Sequence, residues 1–230
     1  MAKQTPKIDR HKLKAPDEFI TFTAKAWEYV RTHRNLVASA AGGVLLILIL
    51  VQGYRIYRSG QEEHAASLAT EAIESFEKDP SQTAPFERIL RDFPGSRGAR
   101  LARLYLGHAL YRKGEAEKAR EVYGSLVEDS STPEPIRSLA TLGNGYALVA
   151  LKRCEEAASV FGRLPASSGL LTQQEAFLAV GRCYEIKGDN KAALARYEEF
   201  AGKFPQSPYL TDALRLKINA LKGKAGSAGR

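Results

Sequence analysis

Cysteine is scarce in this chain: Cys154 and Cys183 are the two among 230 residues. That excludes a disulfide-stapled scaffold and a cysteine-rich metal domain. Histidine is also scarce, with four scattered residues, so no metal site is expected. No nucleophile elbow, phosphate-cradling glycine loop or HExxH motif occurs, and no cofactor is expected. Disorder throughout is excluded as well, because 44% of the residues are hydrophobic and 26% charged. From Arg55 on, the period-2 alternation of strands is missing and β-branched residues are few. Alanine, leucine, glutamate, lysine and arginine dominate there at helical spacing, so an all-α fold is expected.

The net charge is +8, and it is unevenly spread. Residues 1–34 hold eight Lys/Arg and four acids, a basic arm, while the 176 residues from Arg55 on hold 26 basic and 22 acidic groups. Between them, 35–54 is free of charge. Ten of its residues are Leu, Ile or Val, eight of them consecutive from Val44 to Val51. Twenty helical residues reach about 30 Å, the thickness of a bilayer core. Arg31 and Arg34 close one end and Arg55 and Arg58 the other, with Trp27, Tyr29, Tyr54 and Tyr57 as flanking aromatics. Gln52 to Arg58 shows no small-x-small cleavage pattern, so the segment reads as an uncleaved anchor. The excess of Lys/Arg before it predicts a cytoplasmic N-terminus and an external C-terminal bulk, which in a bacterium is periplasmic. Nucleic-acid binding is not expected, because the basic arm adjoins the membrane and suits anionic lipid. Ala38/Gly42 and Ser39/Gly43 have small-xxx-small spacing, which permits a homodimer through the span. Phe19, Thr23, Trp27 and Val30 suggest a short amphipathic helix on the inner membrane surface, or the start of the spanning helix itself.

The outer part repeats itself. Gly107, Gly145 and Gly181 are followed twelve residues on by Ala119, Ala157 and Ala193, and sixteen on by Tyr123, Phe161 and Tyr197. The repeats are 38 and 36 residues apart. A degenerate copy precedes them, because FERILRDFPGS at 86–96 matches YEEFAGKFPQS at 197–207. The pattern resembles the tetratricopeptide repeat (TPR), a pair of antiparallel helices. The resemblance implies small residues where the paired helices cross and an aromatic filling the space between neighbouring helices. Gly114 and Gly188 match the turn glycine of the repeat, and Lys152 replaces it in the middle copy. Thr172 to Glu175 has the form of a capping box, and Thr132-Pro133 and Ser207-Pro208 read as an N-cap followed by proline. The expected plan is a basic cytoplasmic arm at 1–34, a transmembrane anchor at 35–54, a TPR-like α-solenoid at 55–221 whose first helix is 61–78 and whose last begins at Pro208, and a flexible tail at 222–230.

The TPR resemblance also implies a concave face. Its positions fall on Leu101, Leu104, His108 and Tyr111, on Leu139, Leu142, Tyr146 and Val149, and on Glu175, Leu178, Arg182 and Glu185. An apolar groove rimmed by charge suits a peptide or helix partner. Residues 61–78 folding into the groove is an equal alternative. A lone histidine such as His108 reads as a polar contact. Cys154 and Cys183 read as two small buried side chains, with pairing as the lesser alternative. Glu155-Glu156 and Glu198-Glu199 sit at equivalent repeat positions and are not a catalytic pair, so no enzyme is expected.

One anchor with a basic arm followed directly by TPR units is similar to the bacterial ancillary subunit family of the Sec translocon. That resemblance rests on the arrangement and on the anchor-proximal segment TFTAKAWEYVRTHRNLVASAAGGVLLILILVQGYRIYRSGQ. It implies a scaffold or chaperone-like adaptor, with the SecYEG channel, a periplasmic chaperone and unfolded or emerging polypeptides as partners. The Phe-Pro-x-Ser turns also resemble the TPR units of cell-envelope assembly and cell-division coordinators, which is the alternative function.

Overall fold

A computed structural model describes residue 25 and residues 27–227, which divide into one unit up to Arg58 and a second from Ser59. The proposed amphipathic positions Phe19 and Thr23, and the arm residues before Lys25, lie outside the described residues. All regular structure among the described residues is helical.

Helix α1 covers Arg34–Lys78. In the first unit it buries nothing: each side chain from Val44 to Val51 is 50–63% exposed. No charged group falls within this stretch, and it is the one helix among the described residues long and apolar enough to cross a membrane.

In the second unit, α1 buries Ala65, Ala69 and Ala72, spaced four and three apart on one helical face. There follow α2 (Ala84–Asp92), α3 (Arg97–Arg112), α4 (Ala116–Glu128), α5 (Glu134–Ala150), α6 (Cys154–Phe161), a 3-10 turn at Ala166–Ser168, α7 (Leu170–Lys187), α8 (Asn190–Lys203) and α9 (Asp212–Ser227). Each helix from α2 to α9 packs on the next in the chain. The first helices of successive repeats also touch, α3 with α5 and α5 with α7. Repeat 1 is thus α3–α4, repeat 2 α5–α6 and repeat 3 α7–α8.

The spacing of glycine and aromatic explains this pairing. A Cβ on Gly107 would lie 2.5 Å from the Tyr123 ring, one on Gly145 2.2 Å from Phe161, and one on Gly181 2.5 Å from Tyr197. Tyr123 and Tyr197 are almost fully buried, and Phe161 is 7% exposed. Each aromatic therefore occupies the volume that a side chain on the facing helix would need, and only glycine leaves it free.

The helix ends depart from expectation in several places. Helix α7 starts at Leu170 behind Gly169, so Thr172 lies inside the helix and caps nothing. Pro133, not Thr132, is the N-cap of α5. Ser207 serves a turn instead of a cap: its Oγ accepts from the Tyr209 N–H at 3.1 Å and donates to Gln174 Oε1 at 2.8 Å. Helix α9 begins at Asp212, where the Thr211 hydroxyl accepts from the Leu214 N–H at 3.3 Å. It continues to Ser227, past the start of the expected tail at 222.

Candidate functional site

Of the concave-face residues, Leu104 and Leu178 are 2% and 5% exposed. They belong to the core and offer no open surface, which corrects that part of the expectation. The repeat position sets the direction of these side chains, but neighbouring helices cover them. Leu101, His108, Leu142, Tyr146, Val149 and Arg182 are half-buried, while Tyr111 is 38% and Leu139 50% exposed. Residues 61–78 pack toward α2 and α3. Phe76 meets Phe86 and Tyr105 at centroid distances of 6.1 and 5.5 Å, and the Arg97 backbone N–H donates to Glu62 at 2.8 Å.

Polar contacts among buried and half-buried groups join the helices of the repeats. His108 Nδ1 lies 2.6 Å from the Tyr123 hydroxyl. Burial lowers the His108 pKa, and burial, with Tyr111 nearby, raises that of Tyr123. Both directions suit a neutral phenol donating to an unprotonated imidazole. Burial also raises the Tyr146 pKa, reinforced by the Glu175 carboxylate, while Glu175 itself is bonded to Arg182. In repeat 3 the Tyr197 hydroxyl donates to Glu185 at 2.5 Å, and Glu185 pairs with Lys217 of α9 at 3.0 Å. The interhelix aromatics of repeats 1 and 3 are thus tyrosines whose hydroxyls reach a polar group on their own first helix. Repeat 2 has Phe161 against Tyr146, ring to ring at 5.5 Å, and needs no such partner. The sequence pattern places Tyr123 and Tyr197 at the repeat's aromatic position, but it does not show the hydroxyl contacts they make or the part of Lys217. A tyrosine in place of phenylalanine at the repeat's aromatic position was the available signal.

The glutamate pairs are engaged with cations. Glu155 pairs with Lys187 at 3.2 Å, Glu156 with Arg153 at 2.6 Å, Glu198 with Lys222 at 2.8 Å and Glu199 with Arg196 at 2.9 Å. Arg153 also reaches Glu117 of the preceding repeat at 3.4 Å.

Cys154 and Cys183 form a disulfide, with Cα atoms 5.5 Å apart. This corrects the expectation of two unpaired thiols. Cys154 opens α6 at the place that Ala116 holds in repeat 1. Cys183 lies in α7 at the place that Ala147 holds in repeat 2. All four side chains are buried. The start of a second helix therefore faces the later half of the next repeat's first helix, so the supposed axial offset does not keep the sulfurs apart. The Glu155–Lys187 pair lies beside the same contact.

The tetratricopeptide repeat-like domain profile matches residues 25–223. The chain belongs to the tetratricopeptide repeat-like domain family. This match covers the apolar part of α1 together with the repeats. A TPR-like fold accounts for the glycine–aromatic crossings, for the contacts between successive first helices and for α9 closing on α8. A TPR-like repeat domain suggests a protein–protein interaction module. No curated protein and no solved structure matches the chain.

Proposed function

We propose that this TPR-like protein is a membrane-anchored interaction module, acting as a scaffold or chaperone-like adaptor on the periplasmic side of the Sec translocon. The observation that carries the anchoring is the apolar stretch of α1, bounded by arginines and with none of it buried in protein, in a chain whose second unit has an ordinary buried core. Side chains that bury nothing in protein suit lipid. The Cys154–Cys183 disulfide adds independent support for an external repeat domain, because such bonds persist in oxidising compartments. The basic arm before the span supports a cytoplasmic N-terminus. Gly42 and Gly43 meet nothing within 4 Å, which leaves their face open to a second copy of the span.

Exposed Leu139 and Tyr111, with Tyr146 between the first and third repeats' polar groups, form the face for an apolar segment of a partner polypeptide. SecYEG association follows from the similarity of the anchor-plus-repeat arrangement. Photo-crosslinkers at Leu139 and Tyr146 in growing cells test it. Capture of channel subunits or of newly exported polypeptides is the expected result. Capture of peptidoglycan or outer-membrane assembly factors alone contradicts it.

A further inference from the structure

The first and last helices of the repeat domain carry opposite charge. Residues 59–78, the part of α1 in the second unit, hold five glutamates and one lysine. Residues 212–224 of α9 hold one aspartate and four Lys/Arg. The contrast widens when the adjoining helices are included: 59–96 has eight acids and three Lys/Arg, whereas 190–230 has three acids and eight Lys/Arg. Glu63, Glu71, Glu74 and Glu77 are exposed, and none of them is in an ion pair among the described residues. Arg215 is likewise exposed and without an ion pair there, while Lys217 and Lys222 are held by Glu185 and Glu198.

The same two helices carry unpartnered apolar surface. The last helix of a solenoid normally has a polar outer face, because no further repeat covers it. In α9, Leu214, Ile218 and Leu221 pack into the core with Tyr197 and Phe200. Leu216 points to the opposite side and is 69% exposed, with Ala213 and Ala220 exposed on the same side. In the first helix pair, α1 and α2 enclose a groove of about 350 Å³. Its apolar lining is Leu68, Ala72, Pro85 and Ile89, and Glu71 and Arg88 stand beside them. Arg88 is paired with Asp92 at 3.5 Å, so Glu71 is the uncompensated charge of the groove.

We propose that α9 of one copy docks in the α1–α2 groove of a second copy. Leu216 enters between Leu68 and Ile89, and Arg215 meets Glu71. One chain carries both halves of the contact, matched in charge and in apolar character. The two surfaces differ, so the contact is heterologous and adds copies head to tail. A symmetric pairing would set the cations of two α9 helices, or the glutamates of two α1 helices, against each other, and like charges repel. The inference rests on neither the membrane anchor nor the translocon.

The test uses the full chain in detergent micelles and two cysteine variants with tags of different size, Leu216→Cys and Ser75→Cys, the second of which lines the groove. Oxidation of the mixture is expected to give a disulfide-linked dimer with one tag of each kind, and each variant alone should stay largely monomeric. Arg215→Glu in the Leu216→Cys copy should lower the yield about fivefold with an unchanged melting curve, and Glu71→Arg in the other copy should restore it. Either variant cross-linking with itself as well as with the other overturns the proposal, as does a mixture that stays monomeric. A yield that Arg215→Glu leaves unchanged, or that Glu71→Arg does not restore, also overturns it.

Discussion

The Tyr123 ring is held between two glycines of different repeats. A Cβ on Gly107 of its own repeat, or on Gly143 of the next, would lie 2.5 Å from the ring. Elsewhere in a helix, replacing glycine by alanine stabilises by about 1 kcal/mol. Here the methyl group would have to displace a buried aromatic, and overpacking of this kind costs about 1–3 kcal/mol. Gly107→Ala and Gly143→Ala are each expected to destabilise the protein in urea unfolding, and Gly181→Ala, facing Tyr197, should behave alike. Gly202, with nothing within 4 Å, is the control, and its alanine variant should be neutral or stabilising.

Lys152 is the non-glycine residue with left-handed backbone among the described residues, at φ 60°, where repeats 1 and 3 have Gly114 and Gly188 at 82° and 85°. A side chain in that region costs roughly 1–2 kcal/mol per residue. Part of this is offset by the greater freedom of an unfolded glycine. Lys152→Gly should therefore stabilise by about 0.5–1 kcal/mol, read as a rise in Tm.

The disulfide closes a sequence separation of 29 residues. On the chain-entropy account a loop of that size stabilises by about 3–4 kcal/mol. The paired variant Cys154→Ala/Cys183→Ala reproduces the alanine contact of repeats 1 and 2. It should fold with the same helical content and lose about that amount in urea unfolding. Reduction of the wild-type protein should give a similar loss.

His108 supplies a pH dependence. Its pKa is lowered by burial in the folded protein, so the unfolded chain binds the proton more readily. Stability contributed by the neutral ring is complete above the unfolded value of about 6.5 and falls as pH drops below it. Tm is expected to decline between pH 7.5 and 5.5, and His108→Gln should flatten that part of the profile. The carboxylates with lowered pKa, such as Glu155 and Glu156, act only at more acidic pH.

The repeat pattern was readable because one physical need recurs at one spacing: a glycine on the first helix and an aromatic sixteen residues later. The long apolar helix was readable because the absence of charge over a bilayer's length is a local property of the chain. Helix ends were harder. Thr172 and Thr132 carry the right side chains for caps, but Gly169 and Pro133 end the preceding turns and take the position. Leu104 and Leu178 share a repeat position, and that position shows which way they point but not how much the neighbouring helices cover. The disulfide was illegible for the same reason: two small buried residues in adjacent repeats are compatible with contact or with separation.

The claim of a lipid-embedded anchor carrying an external repeat domain is tested most directly in spheroplasts of cells expressing the full chain. The account predicts that added protease digests the repeat domain in intact spheroplasts, and that the undigested protein stays with the membranes in alkaline carbonate. A repeat domain that resists protease until the spheroplasts are lysed, with protein released by carbonate, would contradict it.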